Sequence, residues 1–230
     1  MRVRLMLTCL CDAFYGEVGI ATVKVLEHVG CEVVFDERQT CCGQPPFNAG
    51  DWDSARKMAE HSMKVFEGED PIVTPSASCA AMTREGYHLL QMNESAPAFE
   101  LCEFLVNTAK VDSWPSLPRP RNVGFHRSCH GRMIGLGGAQ EKMLGLVGNL
   151  NLVPFGEQDQ CCGFGGAFSV SHGATSRQIG LSKLHQLVDA GITEVVSGDM
   201  GCLMHLEGLA KREGIEVKVS HIAEVLASAL

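Results

Sequence analysis

Positive charge is scarce in this chain. Its 230 residues hold 19 Lys and Arg against 27 Asp and Glu, a formal net charge of −8. Phosphate recognition needs a basic face, so this balance argues against a nucleic-acid partner. It argues equally against attraction to an anionic membrane. Charged residues reach only 20%, and no run of them is long enough to signal disorder. No apolar run approaches the length of a membrane span. The opening MRVRLMLTCLC carries two arginines, but its apolar stretch falls short of the roughly 7–15 residues of a secretory core. It reads as a first buried strand. Structural-zinc knuckles of the C-x₂₋₄-C type are missing, and so are ferredoxin-type cysteine runs. The glycines of "GFGGAF" do not follow a strand as G-x-G-x-x-G, which argues against a dinucleotide site.

What the chain has is cysteine, 11 in all. With 45% hydrophobic residues it can bury a core without disulfide staples. The compartment is therefore expected to be the cytoplasm, with reduced thiols. There, cysteines point to metal binding or catalysis.

The chain is also written twice. Cys9 and Cys129 stand 120 residues apart, as do Cys41 and Cys161, and Cys42 and Cys162. Cys79 answers Cys202 at an offset of 123, with "PIVTPSASCAAM" matching "EVVSGDMGCLMH". Four cysteines thus recur in register, and Cys11, Cys31 and Cys102 are left over. A seam, "DSWPSLPRPRN" at 112–122, has three prolines and reads as a linker. The expected organisation is one repeat over 1–114 and a second over 115–230.

Within the first repeat, strands are expected at 3–7, "CEVVF" and "PIVTP". Helices are expected at 16–30, ending at Gly30, at 51–68 behind an acidic cap, and at "CAAMTREGYHLL". "APAFEL" leads to another short strand and helix. The second repeat places strands near 121–126, 150–155, 193–197 and 215–219. Alternation of this kind implies an α/β fold of two pseudo-symmetric Rossmann-like halves, each a parallel sheet flanked by helices. In a parallel sheet all strand-to-helix loops emerge at one edge, where ligands bind. Cys9 follows the first strand, Cys41 and Cys42 the second, and Cys79 the third, so the four converge. The glycine after each cysteine pair permits a positive φ or a close approach. Four converging thiols point to an iron–sulfur group or to zinc.

Cys9, "EVGIATVKVLEHVGCEV", "QTCCGQPPFNAG", "PSASCAAM", "FHRSCH", "CCGFGGAFSV" and "DMGCLMH" together resemble the cysteine-rich CCG domain. That domain occurs twice in one polypeptide of the heterodisulfide reductases and in the iron–sulfur subunit of glycolate oxidase. The likeness spans nearly the whole chain and is strongest toward the short lactate-utilisation branch. It implies that Cys9, Cys41, Cys42, Cys79, Cys129, Cys161, Cys162 and Cys202 hold one or two [4Fe-4S] clusters. It implies an electron-transfer subunit of a cytoplasmic complex oxidising L-lactate to pyruvate. The implied partners are a ferredoxin-type protein like lactate utilisation protein B and another like protein C. The alternatives are a glycolate or other 2-hydroxy-acid oxidase, a heterodisulfide-reductase-like complex and, from a different class, a zinc-stabilised thiol scaffold.

The family pattern ends in C-x-x-C, and here the chain departs from it. The first cysteine of that motif is Ser76 in one half and Asp199 in the other. Four thiolates per site match one per iron, which weighs against the family's five-cysteine noncubane cluster and its disulfide cleavage. Asp199 offers an oxygen ligand, and Ser76 is expected to donate a loop hydrogen bond. Cys11, two residues past Cys9, is one further candidate ligand, whereas Cys31 and Cys102 read as core. His126 and His130 flank Cys129 and suit a hydrogen bond to sulfur, a proton relay or ligation. Their first-half counterparts are Met6 and Leu10, so the second site is chemically richer. His61, His88 and His185 sit on expected helices, at the surface or in the core.

Overall fold

The computed structural model describes residues 1–92, 97–136 and 138–230. The first half runs β1 (Arg2–Leu5), α1 (Cys9–Phe14), α2 (Gly16–His28), β2 (Glu32–Val34), α3 (Gln44–Asn48) and α4 (Trp52–Val65). It continues through β3 (Ile72–Thr74), α5 (Ala77–Ala81), a π-helical turn (Met82–Gly86), α6 (Tyr87–Leu89), β4 (Phe99–Glu100) and α7 (Leu101–Asn107). The second half runs β5 (Arg121–Phe125), α8 (Cys129–Met133), α9 (Ala139–Leu146), β6 (Leu150–Leu152), α10 (Ala167–Ser171) and α11 (Gly173–Asp189). It ends with β7 (Glu194–Ser197), α12 (Met200–Glu213), β8 (Lys218–His221) and α13 (Ile222–Ala227). Every expected strand is present within a few residues of its place. The Ala96 of "APAFEL" lies outside the described residues.

Each half is a four-stranded parallel sheet, ordered β2-β1-β3-β4 and β6-β5-β7-β8. The sense in which successive strands are added to the sheet reverses between the first and third strands of each half. At such a switch point the loops part and leave a crevice at the carboxyl edge. Cys9 and Cys79 follow β1 and β3, and Cys129 and Cys202 follow β5 and β7, so each crevice is flanked by thiols.

Two apolar clusters cross between the halves, while another, around Met6, Ala55, Val65 and Tyr87, is the first half's own. One apolar cluster joins Val3, Val25, Leu26, Leu101 and Leu105 to Val123, Met143, Leu144, Ile222 and Val225. A second joins Cys11 and Val18 to Leu184, Val195, Leu203 and Leu206. The helix pairing is symmetric: α2 packs on α13, and α9 packs on α7. The seam expected to be a linker is itself packed. Trp114 and Leu117 are buried, and Trp114 Nε1 donates to the Leu226 carbonyl at 3.0 Å. Three prolines stiffen this segment, and its two large apolar side chains anchor it.

The same exchange of helices brings the cysteines together. α5, carrying Cys79, packs on α8, which begins at Cys129. α12, carrying Cys202, packs on α1, which begins at Cys9. The Ser78 N–H donates to Asp199 Oδ2 at 2.9 Å, and the Ala77 N–H to the Gly198 carbonyl at 3.3 Å. These two bonds tie the cysteine-bearing loops of the halves to each other.

Candidate metal centre

All eight repeated cysteines line one cavity of about 360 Å³. Cys9 Sγ lies 3.5 Å from Cys41 Sγ, and Cys42 Sγ lies 3.5 Å from Cys79 Sγ. A larger hollow of about 580 Å³ runs beside Met63, Phe66 and Glu67 and holds none of them. Donor chemistry rather than size therefore picks out the site.

Backbone chemistry aims these thiols. Cys9 and Cys129 open short helices whose N-caps are Thr8 and Ser128, each hydroxyl accepting a helical N–H at 3.1 Å. Gly43 and Gly163 stand at φ +91° and +92°. A Cβ on Gly43 would meet the Ala55 carbonyl oxygen at 3.0 Å, and one on Gly163 the Ser176 carbonyl oxygen at 2.5 Å. Conformation calls for glycine at both positions, and clearance excludes a side chain most sharply at Gly163. Different hydroxyls pin the two loops: Tyr87 donates to the Cys42 carbonyl at 3.1 Å, and Ser176 to the Gly163 carbonyl at 2.8 Å.

Ser76 and Asp199, the positions where the resemblance leads one to look for a further cysteine, are helix N-caps. Ser76 Oγ accepts the Cys79 N–H at 3.2 Å and pairs with Ser78 Oγ at 3.0 Å, so in the cap it is an acceptor, where a donor was expected. Asp199 Oδ1 accepts the Gly201 N–H at 3.2 Å while Oδ2 takes the Ser78 N–H. Both carboxylate oxygens are thus engaged by backbone. Cys11 is fully buried in a mixed core and does not line the cavity. Burial pushes its thiol up to about 12. Cys31 and Cys102 are core residues, as expected.

The sulfurs compete for charge. In each half one thiol is held well below the ordinary range. Cys41 receives hydrogen bonds from Cys42 and Cys9 and from the Gly43 and Gln44 N–H groups. Cys161 receives them from Cys129 and Cys162 and from the Gly163 N–H. Cys9, Cys42, Cys129 and Cys162 are pushed up, first by the hydrogen bond each gives to that neighbour, then for Cys42 and Cys162 by the bond with Cys79 or Cys202, and by burial. Burial and mutual repulsion thus oppose ionising these neighbouring thiols together, because like charges in a dry site repel. A bound cation removes that penalty and takes all four as thiolates. The donor set fits a thiolate-held metal group in each half.

The second half adds nitrogen. The ligand atoms of His126, Cys162 and Cys202 all lie within 4.8 Å of one another. His126 is buried, and burial, helped by the nearby Lys183, holds its ring down at about 3, so the imidazole is neutral. Lys183 is fully buried on α11, with Nζ 5.0 Å over the Phe155 ring. Burial pulls this ammonium down, opposed by Cys162, Cys202 and Cys161. Among the described residues neither His126 ring nitrogen nor Lys183 Nζ has a hydrogen-bond partner. His130 lines the cavity itself, with Nδ1 3.8 Å from Cys129 Sγ and Nε2 3.1 Å from Gln44 Nε2. His61, His88 and His185 are exposed on helices. Lys183 and Gln44 had not been anticipated. The signal for Lys183 was a lysine on the apolar stripe Gly180, Leu184, Leu187 of a helix, a position where lysine is rarely left without a role.

Comparisons with known proteins agree with this duplicated geometry. The family model of a cysteine-rich domain, CCG, matches twice, over residues 3–84 and 123–207. Lactate utilization protein A of Geobacillus sp. (strain WCH70) is 40% identical, covering 99% of this chain and 100% of its own length. The protein of that name from Geobacillus kaustophilus (strain HTA426) is 41% identical over 98% of each chain. That from Bacillus cereus (strain B4264) is 40% identical over 99% of each. Among solved structures, a hypothetical protein from Helicobacter pylori superposes with a TM-score of 0.67 at 9% identity, covering 99% of this chain and 48% of that one. This last likeness is one of fold.

Proposed function

The chain belongs to the cysteine-rich CCG-domain family, and from that membership we propose that it is an iron–sulfur electron-transfer subunit of a cytoplasmic L-lactate oxidation system. The observation that carries this is the convergence of eight register-matched thiols on one cavity. Cys9, Cys41, Cys42 and Cys79 would hold one [4Fe-4S] cluster, and Cys129, Cys161, Cys162 and Cys202 a second. Each cluster, when bound, supplies a one-electron store. Lactate oxidation to pyruvate releases two electrons and two protons, so two such stores match the reaction. The chain's own residues keep the sulfurs ionisable, pin the CCG loops through Tyr87 and Ser176, and join the two sites across the Ser78–Asp199 bond. No dinucleotide fingerprint is present, so the hydride chemistry falls to partners of the lactate utilisation protein B and C types. No helix among the described residues is long and apolar enough to cross a membrane. Disulfide cleavage on a five-thiolate cluster is disfavoured, because the positions that would supply the fifth thiol are helix caps.

Anaerobic purification with iron and sulfide quantification and EPR tests the proposal. About four iron and four sulfide per half are expected. A protein without iron after anaerobic reconstitution refutes it. One observation favours zinc instead. The 3.5 Å sulfur pairs are close to the edge of about 3.8 Å that tetrahedral zinc sets with sulfur at about 2.3 Å. A colourless protein that keeps one zinc per half after anaerobic expression would establish the scaffold reading. Substrate profiling of the assembled complex separates lactate from glycolate.

A further inference from the structure

We propose that the second-half centre is the more readily reduced of the two, because Lys183 and His126 direct polar hydrogens toward it that the first half does not have. The inference rests on the iron–sulfur proposal and goes beyond it by assigning a direction to electron flow. With equal sets of four thiolates, the potentials of two like clusters differ only through their surroundings: net charge, hydrogen bonds to sulfur, and solvent exposure.

In the cavity His130 stands beside Cys129 where the first half has Leu10, and behind the sulfurs the surroundings differ at two further equivalent positions. His126 and Met6 hold the same backbone place, their N–H groups donating to Val196 at 2.8 Å and Val73 at 2.9 Å. Lys183 corresponds to Ser62, because the CCG glycines rest on Ser176 and Ala55, each seven residues earlier. In the first half, then, the place of the imidazole is taken by a thioether. The place of the ammonium is taken by a hydroxyl already bonded to Tyr87. In the second half both groups are buried, and among the described residues neither finds an acceptor within the protein. Buried donors are nearly always paired in folded proteins. The Cys162 and Cys202 sulfurs lie within 4.8 Å of the imidazole, and the charge of Lys183 couples to Cys162, Cys202 and Cys161, so a sulfur-rich group held there would bring acceptors to both. A cation in a dry site stabilises each added electron strongly. Asp199 acts in the opposite sense, but its two oxygens already take backbone N–H groups at the start of α12, which disperses its charge. Among the described residues Lys183 Nζ has no hydrogen-bonding acceptor, only the face of the Phe155 ring 5.0 Å away.

The test uses the full chain reconstituted anaerobically with iron and sulfide, titrated with dithionite, which supplies one electron to each centre, and followed by EPR. Cys9→Ser with Cys79→Ser, and Cys129→Ser with Cys202→Ser, assign the signals to halves. The unmutated protein is expected to show two one-electron steps, the second-half centre first, at least tenfold apart in reduction equilibrium, or 59 mV. Lys183→Met is expected to move only the second-half step negative by at least tenfold, and Lys183→Arg to leave it in place. Coincident or reversed steps in the unmutated protein overturn the proposal, and so does a Lys183→Met shift that is absent or equal in both halves. If Lys183→Met does not keep its iron, the unmutated splitting and the Lys183→Arg potential decide. Iron bound at equal potentials overturns this inference alone, and no iron at all overturns the iron–sulfur proposal with it.

Discussion

Alanine at Gly163 should be among the most damaging single-methyl changes in this molecule. Gly163 sits at φ +92°, in the left-handed region. An L-residue there costs about 1–2 kcal/mol. Its Cβ would also stand 2.5 Å from the Ser176 carbonyl oxygen and 3.2 Å from the Gly180 nitrogen. Both are backbone atoms of α11 and cannot rotate away. Overpacking of that kind adds about 1–3 kcal/mol, for a total of about 2–5 kcal/mol. At Gly43 the φ is +91° but the nearest atom, the Ala55 carbonyl oxygen, is 3.0 Å away. Gly43→Ala should therefore carry the conformational cost and less of the clash, about 1–3 kcal/mol. Gly208, exposed in α12 with nothing within 4 Å of its missing Cβ, provides the control, and Gly208→Ala should gain about 0.5–1 kcal/mol. Anaerobic urea unfolding of the reduced apoprotein measures all three. The reasoning fails if Gly163→Ala matches the unmutated protein, or if it is milder than Gly43→Ala.

Glu100 is fully buried as the cap of α7 and is raised to about 7, mainly by burial. The folded state keeps a proton that the unfolded chain loses near 4.5, so stability should fall by about 2–4 kcal/mol as pH rises from 4.5 to 7. Glu100→Gln, which keeps a carbonyl for the Cys102 and Glu103 N–H groups, should flatten that slope in urea midpoints taken across pH 5–8. Tyr87→Phe removes the hydroxyl on the Cys42 carbonyl, at about 0.5–1.5 kcal/mol, and should lower metal retention in the first half only, read by metal analysis of single-half cysteine variants. Asp199→Ala should destabilise by more than the roughly 0.5–2 kcal/mol of a lost cap, and by more than Ser76→Ala, because it also breaks the bond from Ser78; paired unfolding curves decide. Residues 1–114 expressed alone should give no cooperative unfolding transition by circular dichroism, since Val25 and Leu26 pack with Ile222 and Val225; mixing with residues 115–230 should restore it.

The order of strands and helices and the eight convergent cysteines were legible because they are linear properties. A doubled cysteine register can be read without coordinates, and apolar periodicity marks each element. What was not legible depends on contact between halves. The seam at 112–122 reads as a tether from its prolines, yet Trp114 reaches the Leu226 carbonyl. No pattern within 112–122 announces a partner a hundred residues away. Ser76 and Asp199 sat between the two kinds of signal. Serine or aspartate three residues before the Cys79 or Cys202 helical position is an N-cap signal, but the cysteine that the resemblance puts there led Asp199 to be read as an oxygen ligand and Ser76 as a loop donor. Lys183 escaped because a lysine on a helix is ordinarily solvated, and only burial against Phe155 and the thiols separates it from its neighbours.

Duplication made the two sites alike, and the way the halves interlock put them in one cavity. Had each half packed on itself, the two thiol sets would lie at opposite ends of a longer molecule, each open to solvent. Instead α5 meets α8 and α12 meets α1, so each half's third-strand loop packs against the other half's first-strand helix. That contact needs small, capped helix starts, and Ser76, Asp199, Thr8 and Ser128 supply them. A cysteine in place of Ser76 or Asp199 would remove the side-chain oxygen that caps the helix. The Asp199 carboxylate would also no longer receive the Ser78 N–H. The Asp199 cap therefore also serves the seating of the two halves against each other. The symmetry is broken in the cavity, where His130 stands beside Cys129 and Leu10 beside Cys9, and behind the sulfurs, where Met6 and Ser62 hold the places that His126 and Lys183 take in the second half.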